Sequence, residues 1–401
     1  MKPHRATPSR PRASIIGVAA ALVAVGVPAP AAPPDPLDRV LITDTLAPLR
    51  IRLISISGDA MIYEDERGLR RQATVGGFVG LTPALPDEPT TATPSGPGDA
   101  TGVLELTDGQ RFPGAPAPTG GEEDAFVWNH PLFGRIEVAL DAIARVALTG
   151  AGDDAPAPIT DDQLVLINGD RLVGFVVSMG DPVEFETNGE TITLPLDRVA
   201  EADLANPPTP LAGLVVWLDD GSVAVVTSLE TDLDETVRLS LPGGQTAEIP
   251  LALVRAVAFD AGRLAPLADM PILEQAPIGE RSVFDPVRII RGAGARGASD
   301  LNAPDLELPG PMRAVYSLPA GAIRFAALAE LPLEALPWGA CDLVITQAGR
   351  EILRERLDQD QPRVEFSLAV APGPITLTVE PGPRGPINDR VVLRRPILLV
   401  E

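Results

Sequence analysis

The chain has 401 residues, more than one small core requires, and its length predicts two to four domains. Its 44 prolines and 37 glycines argue against long helices, because each proline removes a backbone donor and clashes with the preceding helical turn. The 55 acidic and 32 basic residues give a net charge of −23, which argues against nucleic acid as a partner, since its phosphates would be repelled.

The N-terminus carries the features of an export signal. Basic residues between Lys2 and Arg12 precede an unbroken apolar stretch of 13 residues, from Ile15 to Val27. This stretch is shorter than the roughly 20 residues that span a bilayer, and Ala29-Pro30-Ala31 supplies a cleavage pattern. We expect residues 1–31 to be a signal peptide and the mature protein to lie in the periplasm, cell envelope or extracellular space. Once the signal is cleaved, it would not be an integral membrane protein; an uncleaved anchor is the alternative.

An internal repeat sets the architecture between residues 101 and 260. Three copies open with an apolar strand that runs into an Asp-Gly or Asn-Gly pair and out into a second strand. The pairs are Asp108-Gly109, Asn168-Gly169 and Asp220-Gly221. Such pairs favour hairpins, because both turn residues must accept a positive φ. A weaker copy is expected earlier, with the segment Ile54 to Asp59 at its turn.

The copies also end alike, and their endings predict how each unit closes. Each has a strand, a short turn beginning near Leu140, Leu196 or Leu251, and a closing strand. Two hairpins and a closing strand predict a five-stranded unit of roughly 45 residues, the size of a small SH3- or Sm-like β-barrel. Propeller blades have a similar period, but three or four copies are too few to close a ring.

Residues from about 265 onward follow a different pattern. Eight segments there alternate apolar and polar residues, which is typical of strands with one buried face. They begin at Val287, Met312, Ala322, Asp342, Glu351, Arg363, Ile375 and Val391. These strands predict a C-terminal β-sandwich or jelly roll.

The whole chain is therefore expected to be all-β, with repeated barrel modules followed by a sandwich. The expected divisions are a signal peptide at 1–31, a divergent β module at 37–82, barrel repeats at 101–149, 160–205 and 211–260, and the sandwich at 265–401.

The C-terminal third resembles a known family. Its Gly-rich segment from Gly292 to Gly297, its strands from Ala314 and Cys341, and its last strands from Ile375 are similar to the NPCBM domain. That domain is a carbohydrate-binding-module-like jelly roll found on some glycoside hydrolases and in exported proteins of planctomycete-type bacteria. The resemblance implies a sandwich with a glycan-binding surface, and it draws attention to Asp389 at the aspartate near the family's C-terminal end. No histidine lies in the Gly-rich segment, and no tryptophan follows Asp389.

Residues suited to catalysis or metal binding are scarce. After cleavage His130 is the only histidine and Cys341 the only cysteine, so the usual three His or Cys ligands for zinc are missing. His130 precedes a proline and is expected in a hairpin loop, while Cys341 is expected to be a buried structural thiol. A glycoside hydrolase that uses a pair of carboxylates is a distant third hypothesis for the function.

Acidic clusters offer one cofactor to consider. Calcium is a candidate ligand at Asp153-Asp154, Asp161-Asp162 or the segment Asp232 to Glu235, although these residues are more typical of solvated turns. We expect a non-catalytic protein that requires no cofactor.

Aromatic side chains bear on sugar binding, because a pyranose ring packs on an exposed ring while polar groups bond its hydroxyls. Trp338 lies in a predicted loop and is the favoured platform, with Tyr316 and Asp389 as further candidates. Trp217 and Tyr316 both lie in strand patterns that favour burial. The leading hypothesis is an exported binding protein for a glycan, and the alternative is a structural protein that contacts envelope proteins.

Overall fold

The computed structural model describes residues 39–84, 102–118, 125–148, 159–231, 235–279, 285–290, 299–383, 385 and 388–401. Residues Pro36–Glu401 form one compact unit. The regular structure in the described ranges consists of β-strands and short 3₁₀ turns, so the predicted all-β class is confirmed. The expected signal peptide, the Gly-rich segment 292–297 and the clusters at 153–154 and 232–234 lie outside these ranges.

The first half of the chain folds into four consecutive groups of strands, which we call modules 1 to 4. Module 1 contains β1 (Arg39–Thr43), β2 (Pro48–Ser57), β3 (Ala60–Asp65), β4 (Arg70–Thr74) and β5 (Phe78–Pro83). Module 2 contains β6 (Gly102–Leu106), β7 (Arg111–Pro116), β8 (Ala125–His130), β9 (Gly134–Ala139) and β10 (Ile143–Ala147). Module 3 contains β11 (Asp162–Leu166), β12 (Arg171–Ser178), β13 (Val183–Thr187), β14 (Glu190–Leu194) and β15 (Val199–Asp203). Module 4 contains β16 (Val215–Leu218), β17 (Val223–Val225), β18 (Ser228–Thr231), β19 (Thr236–Ser240), β20 (Thr246–Pro250) and β21 (Val254–Ala258).

The four modules share one antiparallel topology. The first strand pairs with the second and also with the closing strand, as in the β1–β2 and β1–β5 ladders. In module 4 the second strand is divided into β17 and β18. A three-residue 3₁₀ turn precedes each closing strand, at Val75–Gly77, Leu140–Ala142, Leu196–Arg198 and Leu251–Leu253. The turns predicted near Leu140, Leu196 and Leu251 are thus confirmed, while the likeness to SH3 or Sm barrels remains a prediction.

The first hairpin of every module turns in the same way. Its third turn residue has a positive φ: 55° at Leu46, 83° at Gly109, 88° at Gly169 and 90° at Gly221. This position explains the glycine of the repeated Asp-Gly and Asn-Gly pairs, because glycine adopts positive φ without a steric penalty. In module 1 this turn lies at residues 44–47. The segment Ile54 to Asp59, expected at that position, instead leads into the second hairpin, between β2 and β3.

The modules join through pairs of equivalent strands. Closing strands β10 and β15 pair through Val146 and Ala202, and closing strands β5 and β21 pair through Leu81 and Val257. Each of these residues is the fourth of its closing strand, so both contacts have a local two-fold character. A single apolar core continues through all four modules, from Leu41 in module 1 to Ile249 in module 4.

The C-terminal part is a sandwich of two antiparallel sheets. One sheet has the order β23 (Ile272–Pro277), β26 (Met312–Leu318), β31 (Gly373–Pro381), β28 (Cys341–Gln347) and β29 (Arg350–Leu357). The other has the order β24 (Arg288–Ile290), β25 (Asp305–Pro309), β32 (Arg390–Val400), β27 (Ala322–Glu330) and β30 (Arg363–Ala369), with β22 (Leu264–Pro266) paired to β32. The eight predicted strands are confirmed, and β22, β23 and β25 are additional.

A separate apolar core joins the sandwich to modules 1 and 4. Val215 and Trp217 of β16 pack with Ile397 and Leu399 of β32 in this cluster. The Trp217 Nε1–H donates to Asn302 Oδ1 at 3.1 Å. The prediction that Trp217 is a core residue is confirmed. Its side chain is buried where module 4 packs against the sandwich.

Candidate functional site

The structure places the three predicted ligand-binding residues in different environments. Trp338 is 64% exposed, in the loop between β27 and β28. Tyr316 and Asp389 are each 1% exposed. Only the indole of Trp338 therefore presents a ring face to solvent, while the other two side chains lie beneath the surface.

The Trp338 loop, residues 331–340, is held by its own backbone. Two consecutive turns form where Leu336 N–H donates to Pro332 O at 3.2 Å and Gly339 N–H donates to Ala335 O at 2.7 Å. Ala335 is fully buried, so the loop has an apolar anchor beneath the exposed indole. A ring held by a fixed loop loses little conformational entropy when it binds a ligand.

Asp389 lies under this loop. A Cβ at Gly339 would be 3.0 Å from the carbonyl oxygen of Asn388, so the loop and the start of β32 approach closely. Burial, with a smaller contribution from the Asp389 carboxylate, raises the pKa of the nearby Cys341 thiol to about 12. Cys341 is a free, buried thiol, as predicted, and a thiol with this pKa stays protonated at neutral pH.

A row of charged side chains borders the Trp338 loop. Arg390 Nη2 donates to Glu334 Oε1 of the loop at 2.8 Å, and Arg390 Nη1 donates to Glu307 Oε1 at 3.1 Å. Leu333 adds a second exposed apolar group. We call Leu333, Glu334, Trp338 and Arg390 the Trp338 surface: it combines a planar ring with a charged donor and acceptor.

Tyr316 is a core residue of the sandwich. It belongs to β26 and packs within the same apolar cluster as Phe325 and Ile375. Burial raises the pKa of its phenol above the usual range. The ring cannot stack on a ligand from this position, so Tyr316 does not join Trp338 in a common surface.

Modules 2 and 4 bring a histidine, a serine and an aspartate together, which sequence reasoning did not find. His130 Nε2 lies 2.8 Å from Ser222 Oγ, and Ser222 Oγ donates to Asp220 Oδ1 at 2.6 Å. The other ring nitrogen, Nδ1, accepts the backbone N–H groups of Leu132 and Phe133, each at 3.1 Å. The ring proton therefore sits on Nε2 and points at Ser222.

This polarity is opposite to that of a nucleophilic triad, in which the histidine accepts the serine proton. Burial lowers the pKa of His130 to about 4, against a smaller opposing effect of Asp220. His130 is also buried at the end of β8 instead of lying in the hairpin loop that was expected. The three side chains thus form a polar link between two modules, with His130 and Ser222 buried and Asp220 partly exposed.

A cleft of about 390 Å³ lies where modules 2 and 4 meet the sandwich. Its polar lining consists of Thr107, Asp108, Thr209, Asp269 and Asn302. Both carboxylate oxygens of Asp108 already accept hydrogen bonds from Gln110. The lining contains no arginine, lysine or histidine, so the cleft is unsuited to an anion.

Metal ligands are also sparse in the ranges that the structure describes. Within them, no group of three or more His, Cys, Asp or Glu side chains is placed to hold a metal ion. At Asp162, one carboxylate oxygen accepts Val176 N–H at 2.8 Å and the other accepts Ala205 N–H at 2.7 Å. This carboxylate of the predicted Asp161-Asp162 cluster therefore binds the backbone.

Within the ranges that the structure describes, no helix is long and apolar enough to cross a membrane.

Comparison with known proteins gives only distant structural likenesses. No protein-family model matches the sequence, and no curated protein matches it. A CBM51 module from a Clostridium perfringens protein, solved with methyl-galactose, is 11% identical and has a TM-score of 0.28; the match covers 34% of this chain and 99% of the module. Tandem CBM51 modules of a Streptococcus pneumoniae family 98 glycoside hydrolase are 10% identical, with a TM-score of 0.29; the match covers 90% of this chain and 88% of that one.

A third solved structure contains a catalytic domain with two CBM51 domains, from Clostridium perfringens ZmpB. It is 11% identical to the chain, with a TM-score of 0.28, and the match covers 89% of this chain and 44% of that protein. The chain thus spans less than half of the length of this neighbour. TM-scores of this size do not establish a shared fold.

Proposed function

We propose that the protein is an exported, non-catalytic binding protein whose C-terminal sandwich binds a glycan on the Trp338 surface. The observation that carries the proposal is the exposed indole of Trp338 in the same loop as Glu334, which forms an ion pair with Arg390. A sugar ring stacks its apolar face on an indole, while its hydroxyls exchange hydrogen bonds with neighbouring charged groups.

The loop geometry supports this proposal. Trp338 and Glu334 lie four residues apart in the same pair of hydrogen-bonded turns, and Arg390 extends from the adjacent β32. Both elements are anchored in the sandwich core, so the surface exists before a ligand arrives. Preorganisation of this kind improves affinity, because less ordering is required on binding.

The test is a glycan and polysaccharide array probed with the mature full-length chain. We expect Trp338→Ala to weaken binding at least about tenfold, which corresponds to about 1.4 kcal/mol. Leu273→Ala is the matched control, since Leu273 is an exposed apolar residue on β23 of the same sandwich and does not belong to the Trp338 surface. Equal loss in both variants, or no binding by the unmodified chain, would reject the Trp338 surface as a glycan site.

Two further hypotheses, calcium binding and glycoside hydrolysis, can be tested alongside the array. Repeating it with EDTA measures whether calcium contributes, and an assay for released reducing sugar tests the hydrolase reading. A silent array would favour the alternative predicted from the sequence, a structural protein that contacts envelope proteins.

Export is tested separately by expressing the full-length chain in a bacterium and determining the N-terminus of the product. A signal peptide of residues 1–31 gives a mature chain beginning at Ala32, with 28 basic and 55 acidic residues. A product that retains residues 15–27 would support the anchor instead.

A further inference from the structure

Strand β12 of module 3 carries an exposed apolar row on its outer face. Val173, Phe175 and Val177 are all exposed, with Val173 at 53% and Phe175 at 61%. Ile167, in the turn before β12, is 57% exposed. Apolar residues clustered in this way are unusual on a soluble surface and mark a contact site.

The equivalent strands of the other modules contact one another. The second strands of modules 2 and 4 meet where Arg111 of β7 pairs with Val223 of β17. The second strands of modules 1 and 4 meet where Ile56 N–H donates to Thr231 Oγ1 at 2.7 Å. Among the described residues, the ladders of β12 are with β11 and β13 of its own module.

The contact between modules 2 and 4 has local two-fold character. Arg111 and Val223 are the first residues of their second strands, and they pair with each other in antiparallel register. Arg111 Nη1 donates to Gly221 O at 3.2 Å, and Gln110 Oε1 accepts Val225 N–H at 2.8 Å. Two equivalent surfaces that meet in this way form an isologous contact, which a symmetric dimer can repeat.

The modules form a series joined by two kinds of contact. Modules 3 and 2 join by closing strands, modules 2 and 4 by second strands, and modules 4 and 1 by both closing strands and second strands. At the module 1 end, the sandwich covers the first turn: Ser367 Oγ donates to Thr45 O at 2.6 Å, and Leu46 is buried. The next contact at the module 3 end would be a second-strand contact.

We propose that the second strand of module 3 binds the same strand of a second copy of this chain, giving a symmetric dimer. Module 3 has the features that the contact between modules 2 and 4 uses. Arg171 stands where Arg111 stands, and Gly169 stands where Gly221 presents its carbonyl.

The register of the dimer follows from the same equivalence. Arg171 of one copy faces Arg171 of the other, as Arg111 faces Val223 within the chain. Strand β13 already pairs with β12 at Phe175, through Glu186, so the ladder between copies is confined to the residues next to Arg171. The exposed side chains of Phe175 and Ile167 would flank this contact and be covered by the second copy.

Charge opposes this association at long range. The chain carries a net charge of −23, and Glu184 and Glu186 lie exposed on β13 beside the apolar row. Dimerisation should strengthen as NaCl rises from about 50 mM to about 500 mM, because salt screens this repulsion.

The first experiment is sedimentation of the mature full-length chain over a concentration series. We expect a monomer–dimer equilibrium that Phe175→Glu shifts to monomer. Leu273→Glu, on an exposed strand of the sandwich, is the matched control and should leave the equilibrium unchanged. A monomer mass at every concentration and salt level, or a dimer unaffected by Phe175→Glu, would overturn the proposal.

A cross-link tests the register. Antiparallel partners have Cα atoms about 4.5–5.5 Å apart, within the range of a disulfide, so oxidation of Arg171→Cys should give a covalent dimer. Thr191→Cys, exposed on β14, is the control and should stay monomeric in the same treatment. The native Cys341 will not interfere, because it is buried. If Arg171→Cys fails to cross-link while the unmodified chain sediments as a dimer, the proposed register is wrong.

Discussion

His130 is a buried titratable side chain whose protonation should affect folding. Its pKa is lowered to about 4 in the folded chain, against 6.5 as the ordinary value. Below pH 6.5 the unfolded chain takes up a proton that the folded chain refuses, so stability falls as the pH drops from 6.5 to 4. This single group can account for about 3 kcal/mol by pH 4.

The corresponding variant is His130→Asn, whose side-chain oxygen can accept the backbone N–H groups that Nδ1 accepts now. We expect it to be less stable than the unmodified protein at pH 7.5, because it loses the bond to Ser222. The difference should shrink towards pH 4.5. The measurement is the denaturant midpoint of both proteins at several pH values, and parallel pH profiles would contradict the assignment.

Asp203 should give folding stability a pH dependence opposite to that of His130. Burial, followed by the charge of Glu201, raises its pKa to about 6, although Arg145 lies 3.7 Å away. The folded chain therefore retains a proton that the unfolded chain loses between about pH 4 and pH 6, and stability from this group falls as the pH rises through that window. At neutral pH the ionised carboxylate of Asp203 therefore lowers the stability of the folded chain.

Asp203→Asn should therefore stabilise the protein at pH 7.5. The gain is about 1 kcal/mol once partial solvent screening of this carboxylate is allowed for. At pH 4, where the native carboxyl is already protonated, the variant should gain almost nothing. Denaturation curves at the two pH values check this, and a variant that is less stable at pH 7.5 would show that the ion pair with Arg145 outweighs burial.

At the scale of elements, the first turn of each module explains both a success and a failure of sequence reasoning. In modules 2 to 4 glycine occupies the positive-φ position, and the Asp-Gly or Asn-Gly signal located the hairpin. In module 1 the same position is Leu46, with φ at 55°, so the signal is absent. Leu46 is buried against the sandwich, and that tertiary contact compensates for its backbone strain.

Two substitutions at equivalent turn positions, in modules 1 and 2, separate the effect of backbone strain on stability from the effect of side-chain packing. Leu46→Gly should relieve the strain and lose the packing, with a net cost of about 2 kcal/mol. Gly109→Leu should add strain without packing, because nothing lies within 4 Å of a Cβ there. Both variants should unfold at lower denaturant than the unmodified chain. A stabilised Leu46→Gly protein would mean that its packing against the sandwich contributes little.

Strands and turns were largely predictable because their signals are local. Alternation predicted the sandwich strands from β26 to β31, and Leu140, Leu196 and Leu251 marked the 3₁₀ turns. The pairing of β10 with β15 and the contact of His130 with Ser222, 92 residues apart, were not predictable, since they depend on how modules meet. For the candidate site, the loop position of Trp338 was readable from proline and glycine, whereas the burial of Asp389 was not.

At the scale of the whole molecule, strand β32 belongs to two apolar cores. Leu398 packs inside the sandwich, while its neighbours Ile397 and Leu399 pack against modules 1 and 4. Alternate residues of a strand point to opposite faces of its sheet, so one strand can serve both cores. The sandwich therefore shares an apolar boundary with the modules, which is why the glycan test uses the full-length chain.

This shared boundary predicts cooperative unfolding. We expect the mature chain to unfold in one calorimetric transition, because separating the sandwich would expose Leu399 and Trp217 to water, and both are buried. Leu399→Asp places an unpaired charge at the boundary and should divide that transition into two, since each part keeps its own core. Leu273→Asp, on the exposed strand β23, should leave a single transition. Two transitions in the unmodified chain would show that the boundary core is too weak to couple its two sides, and the sandwich could then be studied alone.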